Sequence, residues 1–94
     1  MNAESAQGRA MRSLSTEAIE DYSKAIYGLS REHEGPVTTG ELAARLGVTP
    51  ATATSMLKKL GEMGLVDYEP YKGVTLTEAG EKVALEVIRH HRLI

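Results

Sequence analysis

The chain has 94 residues, a formal net charge of −2 and no cysteine. This length allows a single domain, and the absence of cysteine excludes disulfides, iron–sulfur clusters and thiolate zinc sites within these residues. The composition, 41% hydrophobic and 26% charged, is typical of a folded globular domain and not of a disordered chain. The N-terminus lacks the apolar stretch of a signal peptide and no run approaches a membrane span, so we expect a cytoplasmic domain with no membrane partner.

The charge is distributed unevenly along the chain. Residues 17–37 carry five acidic and two basic side chains, whereas residues 38–64 carry three basic and two acidic ones. Nucleic-acid-binding domains are usually basic overall, but the relevant quantity is the charge of the binding face. The net charge of −2 therefore does not exclude a nucleic-acid partner.

The N-terminal part of the sequence predicts a tail followed by a helix. Residues 1–13 have no apolar period and predict a disordered tail, with a basic arm that carries Arg9 and Arg12 to DNA phosphates as the alternative. Thr16 is the predicted N-cap of the first helix. The helix is predicted to end at Glu34-Gly35-Pro36. One face of this helix is apolar at a spacing of three or four residues: Ile19, Tyr22, Ile26 and Leu29.

Two helices joined by a tight turn follow. Thr38 and Glu41 have the spacing of a capping box at the start of the second helix, and Gly47 predicts its end. Thr49-Pro50 is a strong start signal for the third helix, which we expect to end near Gly64. Two helices separated by a short turn that contains glycine are typical of a helix-turn-helix.

The third helix has two different faces. The inward face at helical spacing is Ala53, Met56, Leu57 and Leu60, and the outward face is Ala51, Ser55, Lys58 and Glu62. Short and hydroxylated side chains let a helix lie close to base edges, and lysines meet phosphates. A plain solvated helix face is the alternative interpretation.

The last third of the chain predicts a hairpin and a helix. Residues 65–69 and 74–76 alternate with period two around a four-residue loop at 70–73, and Thr77 caps a helix that begins at Glu78. The apolar stripe of this helix runs to Ile94 without a stop signal, so we expect a helix that is cut short and a longer parent protein. The predicted fold is mainly α with a small β-hairpin: a winged helix-turn-helix over residues 14–77, then the start of a linking or dimerisation helix over residues 78–94.

Several short motifs, in order, resemble the N-terminal domain of the diphtheria-toxin-repressor-like metalloregulators. They are residues 19–27 (IEDYSKAIY), 42–48 (LAARLGV), 56–60 (MLKKL), 64–66 (GLV), 71–77 (YKGVTLT) and 89–93 (RHHRL). The resemblance implies a dimeric, iron- or manganese-activated repressor of metal-uptake genes that binds double-stranded DNA at palindromic operators. It implies DNA contacts from the start of the third helix and from three residues that face the DNA backbone: Thr49, Ala51, Thr52 and Ser55, then Thr39, Lys59 and Lys72. Ser55 stands where relatives carry a longer amide side chain, which leaves the base preference at this position open.

The resemblance also implies a metal site for Mn²⁺ or Fe²⁺ with Asp21 and His91 as ligands. A carboxylate oxygen and an imidazole nitrogen suit these ions. From the residues alone, Asp21 is equally a dipole-favoured acid in an early helical turn and His91 a core residue. Lys24 stands where manganese-type members have a second carboxylate, which leaves the metal open. The remaining family ligands lie after Ile94, so we expect an incomplete site in this chain.

Other functions have weaker support. The sequence has no glycine-rich phosphate loop and no serine with histidine and acid partners, which argues against an enzyme. A metal-independent winged helix that binds DNA, or one that binds another protein through its acidic first helix, is the alternative. His33 is interpreted as a solvated residue near a helix end, and Tyr68 and Tyr71 as packing residues or phosphate contacts.

Overall fold

The computed structural model describes residues 15–93, with side chains for residues 15–89. Its elements in chain order are α1 (Thr16–Glu32), α2 (Thr39–Leu46), α3 (Pro50–Glu62), β1 (Val66–Glu69), β2 (Gly73–Leu76) and α4 (Glu78–Leu93). The predicted winged helix-turn-helix with its further helix is confirmed. The predicted tail at residues 1–13 and the last residue, Ile94, lie outside the described residues.

The helix starts follow the predicted capping residues, with one exception. Thr38 accepts the Glu41 N–H at 3.1 Å while the Glu41 carboxylate accepts the Thr38 N–H at 2.9 Å, which completes the capping box of α2. Thr49 caps α3 ahead of Pro50. The prediction of Thr16 as the cap of α1 is wrong, because the preceding Ser15 accepts the Ala18 N–H at 3.1 Å. Both hydroxyls are suitable caps, and serine ranks slightly higher.

The hairpin loop is one residue shorter than predicted. β1 and β2 pair in antiparallel register with Glu69 opposite Gly73, so only residues 70–72 form the loop. Gly73 has φ 120, and a Cβ at this position would collide with the carbonyl oxygen of Val37. Glycine therefore allows the strand to start one residue early, beside a neighbouring segment of backbone.

One hydrophobic core joins the helices to the hairpin. α1 packs against α4, α2 and β2, while α3 packs against α2 and β1. The inward face predicted for α3 is confirmed, since Ala53, Leu57 and Leu60 are fully buried and Met56 is half-buried. Among residues 15–93, no helix is both long and apolar enough to cross a membrane.

The start of α4 fits closely against the segment before β1. Thr77 accepts the Gly80 N–H at 3.2 Å and donates its hydroxyl to the Gly64 carbonyl at 2.7 Å. The Thr77 N–H donates to the Leu65 carbonyl at 3.0 Å, and a Cβ on Gly80 would collide with that same carbonyl oxygen. The joint between wing and α4 therefore requires glycine at position 80.

We expect Gly80→Ala to lower the free energy of unfolding by about 1–3 kcal/mol, because backbone must shift to admit the methyl group. Gly40→Ala in α2 is the matched control, since a Cβ there meets nothing within 4 Å. Alanine favours a helix over glycine, so the control should gain up to about 1 kcal/mol. Urea unfolding of both variants measures the difference. Equal stability of the two variants would contradict the close contact at Gly80.

Candidate nucleic-acid interface

The outward face of α3 is exposed as predicted. Thr49, Ala51, Thr52 and Ser55 are all exposed and follow one another along the first turns of the helix. They are short side chains, so another molecule can approach the helix backbone closely along this face. Such a surface suits the major groove, which admits an α-helix and displays base edges.

Two threonine hydroxyls at the start of α3 are linked to each other. Thr49 accepts the Thr52 N–H at 3.1 Å and donates its own hydroxyl to the Thr52 oxygen at 2.9 Å. The Thr49 hydroxyl is thus engaged in capping the helix. The Thr52 hydroxyl accepts from Thr49 and keeps its own proton to donate outward. Within the predicted set, Thr52 and Ser55 are therefore better placed to contact bases than Thr49.

Two lysines continue the same helix, and they differ in burial. Lys58 is exposed on the outward face, whereas Lys59 is half-buried and interacts within the chain. Glu62 is exposed one turn beyond Lys58. The end of α3 that carries the hydroxyl groups has no acidic side chain in its first turn, so it would meet DNA without like-charge repulsion.

The wing is fixed to the start of α2 through backbone hydrogen bonds. Val37 donates its N–H to the Val74 carbonyl at 2.9 Å, and Val74 donates back at 2.8 Å. Sequence reasoning missed this bridge, because a single paired residue has no period-two pattern. The bridge holds the wing beside the start of α2. Thr39 and Lys72, both predicted to face the DNA backbone, therefore line one recess of about 140 Å³.

The tip of the wing has an unusual backbone. Lys72 donates its N–H to the Glu69 carbonyl at 3.1 Å across the turn, and Tyr71 has φ 75. The side chain of Tyr71 is fully exposed, and this residue lines the recess that Thr39 and Lys72 share. The Lys72 ammonium lies 3.9 Å from a Glu69 carboxylate oxygen, and both side chains are largely exposed, so this ion pair is weak.

His33 links α1 to the start of α2, which corrects its interpretation as a merely solvated residue. Its Nε2 lies 3.0 Å from Glu41 Oε2, and its Nδ1 lies 3.0 Å from the Glu34 carbonyl oxygen. The hydrogen bond to Glu34 and the Glu41 carboxylate charge raise the pKa of His33 above its usual 6.5. Hydrogen bonds from Thr38 and the nearby imidazole lower the pKa of Glu41 below 4.5.

The His33–Glu41 pair predicts a pH-dependent contribution to stability. The raised pKa means that protonated His33 stabilises the fold fully below pH 6.5, and this contribution is lost as the pH rises through the folded-state pKa. Glu41 contributes above pH 4.5, and its contribution is lost as the pH falls through its lowered pKa. We expect His33→Gln to lower Tm more at about pH 5.5 than at about pH 8.5. A His33→Gln effect that is the same at both pH values would contradict the pair.

Asp21, the first predicted metal ligand, is exposed beside a groove between α1, α2 and α4. The groove has a volume of about 340 Å³, and its wall includes Lys24, Arg45 and Ile88. A Cβ on Gly28 would lie 3.6 Å from the Arg45 guanidinium, which is an ordinary contact distance, and Arg45 pairs with Glu32 at 2.7 Å.

The second predicted ligand, His91, belongs to α4, but its side chain lies outside the described residues. Within the part of the chain whose side chains are described, no three His, Cys, Asp or Glu residues come together as a metal site. A single carboxylate such as Asp21 does not hold a transition metal on its own, so the described residues do not make up the predicted site.

Comparison with known families agrees with this architecture. Residues 14–74 match the family described as iron dependent repressor, N-terminal DNA binding domain. The match covers more than half of the chain and spans α1, the helix-turn-helix and the wing as far as the second residue of β2. The chain belongs to the iron-dependent repressor family. The resemblance to metalloregulators drawn from the sequence motifs is thereby confirmed.

Individual relatives match most of the chain. The transcriptional regulator MntR of Escherichia coli is 44% identical over 78 residues, which are 83% of this chain and 50% of that protein. An HTH-type transcriptional regulator of Methanocaldococcus jannaschii is 43% identical over 79 residues, 84% of this chain and 63% of that protein. The crystal structure of ScaR with bound Zn²⁺ superimposes with a TM-score of 0.68 at 35% identity, covering 80% of this chain and 34% of ScaR. The chain thus spans about half to two thirds of these two curated relatives.

The family match includes most of the predicted site residues but not all of them. The matched region contains Asp21, the outward face of α3 and Lys72, but it ends before His91. The family is one of transcriptional regulators. The individual DNA contacts and metal ligands stay predictions.

Proposed function

We propose that this chain is the DNA-binding domain of a transcriptional repressor and binds double-stranded DNA sequence-specifically. The observation that carries the proposal is the exposed, short-chained face of α3 beside a wing that is fixed to α2 by backbone hydrogen bonds. Thr52 and Ser55 contact base edges, while Thr39, Lys59 and Lys72 contact phosphates. Thr49 and Ala51 complete the contact face at the start of α3.

The proposed repressor acts as a homodimer on a palindromic operator. Two copies related by a two-fold axis present their α3 helices about 34–36 Å apart, one turn of the DNA helix. We place the domain in the cytoplasm, which is where the DNA of a prokaryotic cell lies. We assign the regulated genes to metal homeostasis. The family's description as iron dependent repressors and the Zn²⁺ in the ScaR structure support a metal effector.

The test starts with selection of duplexes from a randomised library by the chain, followed by fluorescence anisotropy. The selected duplex should bind more tightly than a mixed-sequence duplex of equal length at the same salt, by about 1,000-fold or more. Both affinities should fall steeply as salt rises, because phosphate contacts release counterions. Equal affinity for the two duplexes would overturn sequence-specific recognition.

Lys59→Ala tests the phosphate contacts directly. We expect weaker binding to all duplexes and a slope of log affinity against log salt that is flatter by about one unit. Lys82→Ala is the matched control, because Lys82 is an exposed lysine on α4 outside the proposed interface. An unchanged slope for Lys59→Ala would remove this residue from the phosphate contacts.

Metal dependence is tested on the natural full-length protein. Asp21 and His91 are the proposed ligands from this chain, and a divalent ion bound to them would supply a fixed link between α1 and α4. Operator affinity is measured by anisotropy with and without Mn²⁺ or Fe²⁺, and we expect tighter binding with metal. Equal affinity in both states would contradict metal activation while leaving DNA binding intact.

A metal-independent DNA-binding module is the second candidate. The observation that favours it is the position of Lys24, which lines the same groove as Asp21. The positive charge of its ammonium group would repel a metal ion bound there. Under this candidate, added metal changes the operator affinity of neither the full-length protein nor its His91→Ala variant. A folded His91→Ala protein that no longer responds to metal would decide for the metal-dependent repressor.

A further inference from the structure

Tyr71 at the wing tip occupies a backbone conformation that is unfavourable for a tyrosine. Its φ of 75 lies in the left-handed region, and it follows Pro70 in a turn closed by the hydrogen bond from Lys72 N–H to the Glu69 carbonyl. This is the shape of a type II turn, in which proline suits the second position and glycine or asparagine the third. A side chain with a Cβ pays a steric cost there.

The Tyr71 side chain contributes no burial that would offset this cost. Its relative exposure is 108%, whereas Tyr22 is buried and Tyr27 and Tyr68 are half-buried. A glycine would suit the turn better as far as the fold alone is concerned. The tyrosine ring at this position therefore points to a contact with another molecule.

The wing holds the ring on the side where the DNA contacts are proposed. Val37 and Val74 exchange two backbone hydrogen bonds, and Gly73 lies against the Val37 carbonyl, so the hairpin cannot turn away from α2 easily. Tyr71 shares its recess with Thr39 and Lys72. The anchored turn fixes the direction in which the Cα–Cβ bond of Tyr71 leaves the wing, which limits the backbone entropy lost on binding.

We infer that Tyr71 contacts the sugar–phosphate backbone of the operator, with its ring against a deoxyribose and its hydroxyl donating to a phosphate oxygen. This inference rests on the proposed DNA-binding function. The contact reads no base, so it supports affinity for every sequence equally. It carries no charge, so it releases no counterion, unlike the neighbouring Lys72.

Tyr71→Gly and Tyr71→Phe test the assignment, with Tyr27→Phe as the control for removal of a hydroxyl elsewhere. We expect Tyr71→Gly to unfold at a Tm no lower than that of the parent chain while binding DNA about 10-fold more weakly. The loss should be the same on a selected duplex and on a mixed-sequence duplex, and the salt slope should not change. Tyr71→Phe should lose about 3-fold, which would be the share of the hydroxyl, and Tyr27→Phe nothing.

The outcomes separate the inference from the proposed function. Parent-like affinity of Tyr71→Gly would overturn the contact, and a loss restricted to the selected duplex would overturn backbone contact in favour of base reading. A lower Tm that accounts for the weaker binding would show a structural role and also overturn the inference. If the parent chain binds neither duplex, the proposed DNA binding itself fails.

Discussion

Ser55→Glu is expected to weaken binding to a selected duplex about 100-fold, which corresponds to about 2.7 kcal/mol. Ser55 is exposed on the outward face of α3, so the new carboxylate would face the DNA at the centre of the proposed contact. Glutamate is at least as favourable as serine in a helix, so we expect Tm to stay unchanged. Anisotropy titration and thermal unfolding of the same preparations measure the two effects.

Ser30→Glu provides the matched control for this variant. It makes the same chemical change at an exposed position of α1, outside the helix-turn-helix and the wing. Its affinity should stay within about 2-fold of the parent chain, as long-range repulsion between exposed charges is largely screened. Equal losses for Ser30→Glu and Ser55→Glu would show that net charge, and not the α3 face, determines binding.

Leu57→Ala is expected to have the largest effect on stability. Leu57 is fully buried on the inward face of α3 within the common core, and truncation leaves a cavity beneath this helix. Such changes cost about 2–5 kcal/mol, compared with about 5–15 kcal/mol for the whole stability of a typical domain. Because a chain of this size has a small core, most of its stability would be lost.

The neighbouring residue supplies the control for Leu57→Ala. Lys58 is exposed on the opposite face of the same helix, and Lys58→Ala should change the free energy of unfolding by no more than about 0.5 kcal/mol. Urea unfolding of both variants makes the comparison. A cost below about 1 kcal/mol for Leu57→Ala would mean that α3 is not anchored through this side chain.

The sequence predicted the elements that depend on local chemistry. The capping box of Thr38 and Glu41, the Thr49-Pro50 start and the left-handed Gly47 use backbone preferences that extend over three or four residues. The inward and outward faces of α3 follow from helical periodicity alone. These features sufficed for the fold and for the position of the proposed DNA-binding face.

The features that the sequence did not reveal depend on contacts between distant segments. The Val37–Val74 bridge and the approach of Gly80 to the Leu65 carbonyl have no local pattern that distinguishes them. His33 meets Glu41 only because the turn between α1 and α2 brings them together. The Pro70 that precedes Tyr71 is a turn signal in the sequence, and the positive φ at Tyr71 could have been inferred from it.

The proposed DNA-binding face is tested most directly by following the backbone amide resonances of the isotope-labelled chain during titration with a selected duplex. We expect the largest shifts at the start of α3, around Ser55, and in the wing around Tyr71 and Lys72. Residues along the groove that contains Asp21 should change little. Large shifts confined to that groove, with the α3 face unaffected, would show that DNA does not bind at the proposed face.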